Sequence, residues 1–212
     1  MISLLFTAYD SVEFLVRTVR AAQSDIPEAQ IIIGYDAGVP EVTRACMSEL
    51  TDNTITHVVS QKHRRLVAMV NYQLQLSEHE YVAWLADDCE VAQGGLLEAI
   101  QCHKESFPDG RGVVSIGVGG CLFPLTTKTF LRSLFEGHLC FAWPGYTHYC
   151  WDTELHDRAT AWGLYKQAGR ATHHRIGHVR TGDSSLYTIR QRLGWPFVLP
   201  VSTRGNIANG QE

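Results

Sequence analysis

Tyr81-Val-Ala-Trp-Leu-Ala-Asp-Asp-Cys-Glu-Val91 decides how the rest of the chain is read. Tyr81 through Ala86 are apolar or aromatic without a break, the pattern of a strand buried on both faces. The run then stops on Asp87 and Asp88, with Glu90 one residue further. Adjacent like charges at a buried edge repel, so packing alone does not account for them. A divalent cation among them removes the conflict, and carboxylate oxygens are the ligands that Mg²⁺ or Mn²⁺ prefers. The plain alternative is an acidic turn after a core strand.

Upstream, the same grammar repeats. Ile2–Thr7 is a β-prone run, followed by Ala8-Tyr9-Asp10-Ser11. Asp10 or Ser11 can cap a helix carrying Val12, Leu15, Val16 and Val19 at helical spacing, and Pro27 closes that region. Ile31–Asp36 is a second buried strand ending on a carboxylate, and Pro40 suits a helix start. Ile55–Ser60 reads as a third strand, with Leu66, Met69, Val70 and Leu74 continuing at helical spacing after Gln61-Lys-His-Arg-Arg65.

Downstream, Leu96–Ser106 reads as a helix stopped by Phe107-Pro-Asp-Gly110, and Gly112–Gly120 as a fifth strand. Leu122–Phe135 reads as helical, Gly137–Gly145 as an irregular aromatic segment, and Trp151–Ala168 as a helix. The tail 204–212 carries little pattern and is expected to be loose. Alternation of strands and helices predicts an α/β fold, a mostly parallel sheet flanked by helices. Ligands of such sheets sit at the carboxyl ends of the strands. Tyr9, Asp36, Arg64, Arg65, Asp87 and Asp88 each fall just after a predicted strand, on that edge.

At 212 residues, 45% hydrophobic and 19% charged, the composition is that of an ordinary globular protein. The expected organisation is one domain over 1–203, in two halves, 1–118 and 119–203. No run nears 18 apolar residues, so no membrane helix is expected. The opening Met-Ile-Ser-Leu-Leu-Phe reads as a strand, without a basic flank or a small-residue cleavage site. Six cysteines lie scattered with no C-x-x-C pair, which suits reduced thiols in a cytoplasmic protein. Residues 1–157 hold 10 Lys+Arg against 20 Asp+Glu, whereas 158–212 hold 8 against 2. The cations of 158–204 suit an anionic partner, a nucleic-acid backbone included, unless they pair with the acidic remainder.

The order of these features resembles the GT-A glycosyltransferases, family 2 in particular, over roughly residues 2–178. Ile2-Ser-Leu-Leu-Phe-Thr-Ala-Tyr9 resembles the family's opening strand, and Tyr35-Asp-Ala-Gly38 stands in the place of its "D-D-G-S". Arg64, Arg65 and Asn71 fall where the family has "G-x-x-x-A-R-N", and Leu85-Ala-Asp-Asp88 is similar to its "L-D-x-D-D". Trp151-Asp-Thr-Glu-Leu-His-Asp-Arg158 with Gly163 resembles "E-D-x-D-L-x-x-R-x-x-x-x-G". Tyr35, Trp151 and Cys89 depart from the family's acids at their positions.

The resemblance implies a Rossmann-like domain binding a nucleoside diphosphate sugar, with Mn²⁺ or Mg²⁺. Thr7 and Tyr9 would lie at the donor, Tyr9 near the base, and Asp36 would accept from uracil N3–H. Arg64 or Arg65 would reach the base or diphosphate, and Asp87 the ribose. Asp88 would hold the metal, with His178 completing its shell and His173 and His174 as competitors. Asp152 would act as general base, with Glu154 its rival, and Trp143, Tyr146 and Trp151 would form the acceptor wall. Each has a structural alternative: Tyr9 and the tryptophans as core, Asp36 as a helix cap, Asp152 and Glu154 as helix-start acids.

The expected activity is inverting transfer of a hexosyl group, from a UDP-sugar first, to a hydroxyl acceptor. A hydroxylated base in DNA is one acceptor that the basic region would serve. A nucleotidyltransferase and a non-catalytic nucleotide- or glycan-binding module are the rivals, although the first usually has a Gly-rich basic loop after its first strand, which Thr7-Ala-Tyr-Asp10 lacks.

Overall fold

The computed structural model describes residues 1–8, 12–36, 40–62, 64–148, 150–173 and 183–195. In chain order the elements are β1 (Ile2–Ala8), α1 (Val12–Asp25), β2 (Gln30–Asp36), α2 (Pro40–Glu49), β3 (Ile55–Ser60), α3 (Leu66–Leu76), β4 (Tyr81–Ala86), β5 (Cys89–Val91), α4 (Gly95–Ser106), β6 (Val113–Gly117), β7 (Pro124–Thr127), α5 (Lys128–Leu134), α6 (Trp151–Ala161), β8 (Tyr165–His173) and α7 (Asp183–Arg192). Eight strands form one sheet in the order β3-β2-β1-β4-β7-β6-β8-β5. β3, β2, β1 and β4 run parallel, β7 is antiparallel to β4 and β6, and β5 is antiparallel to β8.

β1 is buried along its whole length because β2 and β4 flank it. The crossovers through α1 and α2 step away from β1, and the one through α3 steps back past it. Right-handed connections therefore put α3 on the opposite face from α1 and α2. Accordingly α3 packs on β1 and β2, while α1 touches α2 and α4. The chain reverses direction at β1 and β4, so a crevice opens at their carboxyl ends.

α3 lies close on the sheet for two reasons. Gln73, fully buried, donates to the carbonyl oxygens of Phe6 (2.7 Å) and Ile32 (2.9 Å). Opposite it, β2 carries Gly34, where a Cβ would meet Met69 Cγ and Sδ at 2.7 Å. Asn71 then fastens the aromatic segment onto the outer side of α3: its Oδ1 accepts from the Phe141 and Ala142 amides and its Nδ2 donates to the Ala142 carbonyl.

The first half follows the sequence pattern closely, and the second half departs from it. The helix expected over Leu122–Phe135 begins only at Lys128, because Pro124–Thr127 is the buried strand that joins β4 to β6. Thr127 ends that strand and caps α5, its hydroxyl accepting from the Phe130 amide at 3.0 Å. The helix expected over Trp151–Ala168 stops at Ala161, where Gly163 takes a left-handed φ of 69° and the chain turns into β8. β5 and α7 were not anticipated. Residues 204–212 lie outside the described residues. All six cysteines are free, and among the described residues no helix is long and apolar enough to cross a membrane.

Gly34→Ala is expected to lower stability by about 1–3 kcal/mol, because the added methyl must displace Met69 or lift α3 from β2. Chemical denaturation measures it; unchanged stability would contradict the close approach.

Candidate active site

Registry puts the acids where the crevice opens. Ala8 pairs with Tyr35, so Asp36 stands one step beyond the end of β1, and Thr7 pairs with Ala86, so Asp87 and Asp88 follow on its other side. Asp36 is buried, and its carboxylate accepts from the backbone amides of Arg64 and of Arg65, the latter at 2.8 Å. It thereby fixes the loop ahead of α3. Arg65, held there, adopts a left-handed φ of 69°, an uncommon conformation for a side-chain-bearing residue. Arg64 and Arg65 are both exposed. Arg64 Nε donates to Ser60 Oγ at 3.1 Å and its guanidinium lies 4.7 Å over the Tyr72 ring. Thr7 is nearly closed off, accepting from Trp84 Nε1 and donating to Gln73 Oε1, each at 3.1 Å. Tyr9 lies outside the described residues.

Asp88 is 6% exposed, and its Oδ1 sits 2.8 Å from Nε2 of His173, the last residue of β8. That hydrogen bond holds the His173 ring above its ordinary pKa, against the opposing effect of burial. Among the described residues no three Asp, Glu, His or Cys side chains gather as a ready-made metal cage. The donor set nevertheless fits a hard cation, since such ions are commonly held by one or two carboxylates plus substrate phosphates and water. His174 and His178 lie outside the described residues.

The two candidate bases occupy opposite environments. Asp152, in the first turn of α6, is half-buried with Oδ1 accepting from the Thr153 amide at 2.9 Å. Burial among crowded neighbours pushes its carboxyl above the usual range. Glu154 is 1% exposed and saturated with donors. Tyr146 Oη (2.9 Å), Arg158 Nη1 (3.0 Å), Arg190 Nε (2.9 Å) and Arg190 Nη2 (2.7 Å) all reach it.

Trp143, Tyr146 and Trp151, expected as an acceptor wall, are only 9%, 3% and 3% exposed and pack inside. Trp151 meets Trp84 edge-on at 5.0 Å, and Trp143 lies against Tyr146 with the Arg190 guanidinium 4.1 Å over its ring. Among the described residues, three cations of the C-terminal quarter are taken up by carboxylates. Arg158 and Arg190 are consumed by Glu154, and Arg170 pairs with Glu98. Lys166 and Arg192 remain exposed, and Arg175, Arg180 and Arg204 lie outside the described residues.

Sequence reasoning gave no role to Asp183 or Gln73 and counted Arg190 only among the cations of the basic region. Asp183 accepts from the amides of Thr147 and His148, tying α7 to the aromatic segment. Its signal was its isolation as the one acid between Arg158 and Arg204.

A parallel sheet whose reversal point is lined with carboxylates is the GT-A arrangement. The model of glycosyl transferase family 2 matches residues 3–187, and the chain belongs to that family of glycosyltransferases. Among solved structures, the mannosyltransferase PcManGT from Pyrobaculum calidifontis, in complex with GDP-Man and Mn²⁺, is similar at a TM-score of 0.53 and 14% identity. The match covers 63% of this chain and 46% of that one, so this chain spans less than half of its length. S. aureus TarS 1–349, in complex with UDP, matches at a TM-score of 0.46 and 13% identity over 53% of this chain and 34% of its own. No curated protein matches the chain in sequence.

Glu154→Ala should cost about 3–5 kcal/mol, because it strands two buried guanidinium groups. Asp152→Asn should leave stability unchanged or raise it, since burial already disfavours that charge. Denaturation of both variants checks the contrast; equal losses would contradict it.

Proposed function

We propose that the chain transfers a hexosyl group, with inversion, from a nucleoside diphosphate sugar to a hydroxyl acceptor, a UDP-sugar being the first donor to try. The observation that carries this reading is the level placement of Asp36 and Asp87–Asp88 on either side of β1, at the sheet's reversal point. Family membership supports it.

In this reading the base and ribose lie over the ends of β1 and β2, by Asp36, Arg64 and Asp87. Asp36, fixed by the Arg64 and Arg65 amides, would accept from a base N–H. Arg64 or Arg65 reaches toward the diphosphate, where a guanidinium makes bidentate contact. Asp88, with His173 beside it, would hold Mn²⁺ or Mg²⁺, which supplies Lewis-acid charge against the leaving nucleotide.

Asp152 suits the role of general base better than Glu154. A base must be accessible and must gain a proton readily: Asp152 is only half-buried, and burial raises its carboxyl above the usual range. Glu154 has no oxygen to spare. Asp152 takes the proton as the acceptor oxygen attacks the anomeric carbon. The bond from that carbon to the diphosphate oxygen breaks, and the nucleoside diphosphate departs on the opposite face.

The test offers UDP-glucose and GDP-mannose with Mn²⁺ and follows release of nucleoside diphosphate. Asp88→Ala is expected to weaken donor binding and turnover together. Asp152→Asn should spare binding and cut turnover by about 10²–10⁴-fold. Inactivity toward every nucleotide sugar, or pyrophosphate release from a sugar phosphate and a nucleoside triphosphate, would contradict the proposal.

A further inference from the structure

Arg190 sits 36 residues beyond Glu154 yet fills half of that carboxylate's coordination. It belongs to α7, whose two ends both grip the segment that leads into α6. At its start Asp183 accepts from the Thr147 and His148 amides. Seven residues later Arg190 presents Nε and Nη2 to the two oxygens of Glu154 and stacks on Trp143. Tyr146, from the same aromatic segment, donates to Glu154 as well. Between these grips the chain passes through Cys150, which has a left-handed φ of 66°, and then Trp151 and Asp152. A non-glycine residue in that conformation persists only when its surroundings over-determine it.

We propose that Arg190 is a positioning residue for the transfer reaction: by clamping Glu154 it fixes the first turn of α6 and so sets the aim of the Asp152 carboxylate. The inference rests on Asp152 being the general base. Two arginines, Arg158 and Arg190, share the Glu154 carboxylate. Stability alone needs only one of the two arginines, since Arg158, on α6 itself, already neutralises Glu154 at i,i+4. The second arginine adds a bidentate tie to another helix, a geometric constraint rather than a charge requirement.

The Arg190→Met variant tests this, because it removes the tie and leaves Glu154 paired with Arg158. Whichever of UDP-glucose and GDP-mannose the wild type turns over serves as donor, with Mn²⁺ and water as acceptor, and affinity for the matching nucleoside diphosphate is read by calorimetry. The expected result is a folded protein whose kcat falls roughly ten- to hundredfold, as small misplacements of a reacting group do. Nucleotide affinity should stay within about twofold, the mark of an interaction expressed in the reaction step alone. Arg190→Lys, which keeps the charge but reaches a single oxygen, should recover part of the rate.

A kcat per folded molecule equal to wild type in Arg190→Met would overturn the proposal, as would equal loss of affinity and rate. Should Arg190→Met not fold, the same criteria apply to Arg190→Lys. Asp152→Asn is measured beside them. If it turns over normally, the base assignment fails and this inference with it. If it is inactive while the Arg190 variants are normal, only the positioning role fails.

Discussion

Carboxylates that crowd the end of a parallel sheet must each find a counterpart, and how they do so shapes this molecule. Asp36 borrows two backbone amides and thereby dictates the path of the loop into α3. Asp88 takes a histidine from the far end of β8, across the β5–β8 pairing. A backbone amide or an imidazole N–H meets one carboxylate oxygen at a time, whereas a bidentate guanidinium engages both. The edge is thus kept acidic and receptive.

The contrast with Glu154 shows the other outcome. Two arginines and a tyrosine surround it, and it serves as the joint between α6, α7 and the aromatic segment. Buried ion networks of this kind contribute little net stability, since desolvation offsets attraction, but they are costly to break and fix geometry well. Geometry is what the first turn of α6 requires if Asp152 is to meet an incoming hydroxyl group. The aromatic side chains that suggested an acceptor wall are the apolar packing around this joint.

The half of the fold built from β1, β2, β3, β4 and their helices was legible because β1, β2 and β4 are buried on both faces and read as largely apolar runs. Its carboxylates stood out for the same reason: Asp36, Asp87 and Asp88 end those runs. Legibility failed where a residue's role depends on a distant partner. Pro124–Thr127 is short and looks helical until β4 and β6 are placed on either side of it. Gly163 looked tolerable inside a helix, yet its left-handed conformation ends one. Arg190 was counted with the cations that suit an anionic partner, because nothing local reveals that it reaches Glu154, 36 residues earlier.

The most direct test of the account is a crystal grown with UDP and Mn²⁺, examined for manganese by anomalous scattering. The account predicts a manganese peak coordinated by the Asp88 carboxylate and the diphosphate oxygens, with the uracil over Asp36 at the ends of β1 and β2. UDP bound elsewhere, or an Asp88 still paired to His173 with no manganese beside it, would contradict it.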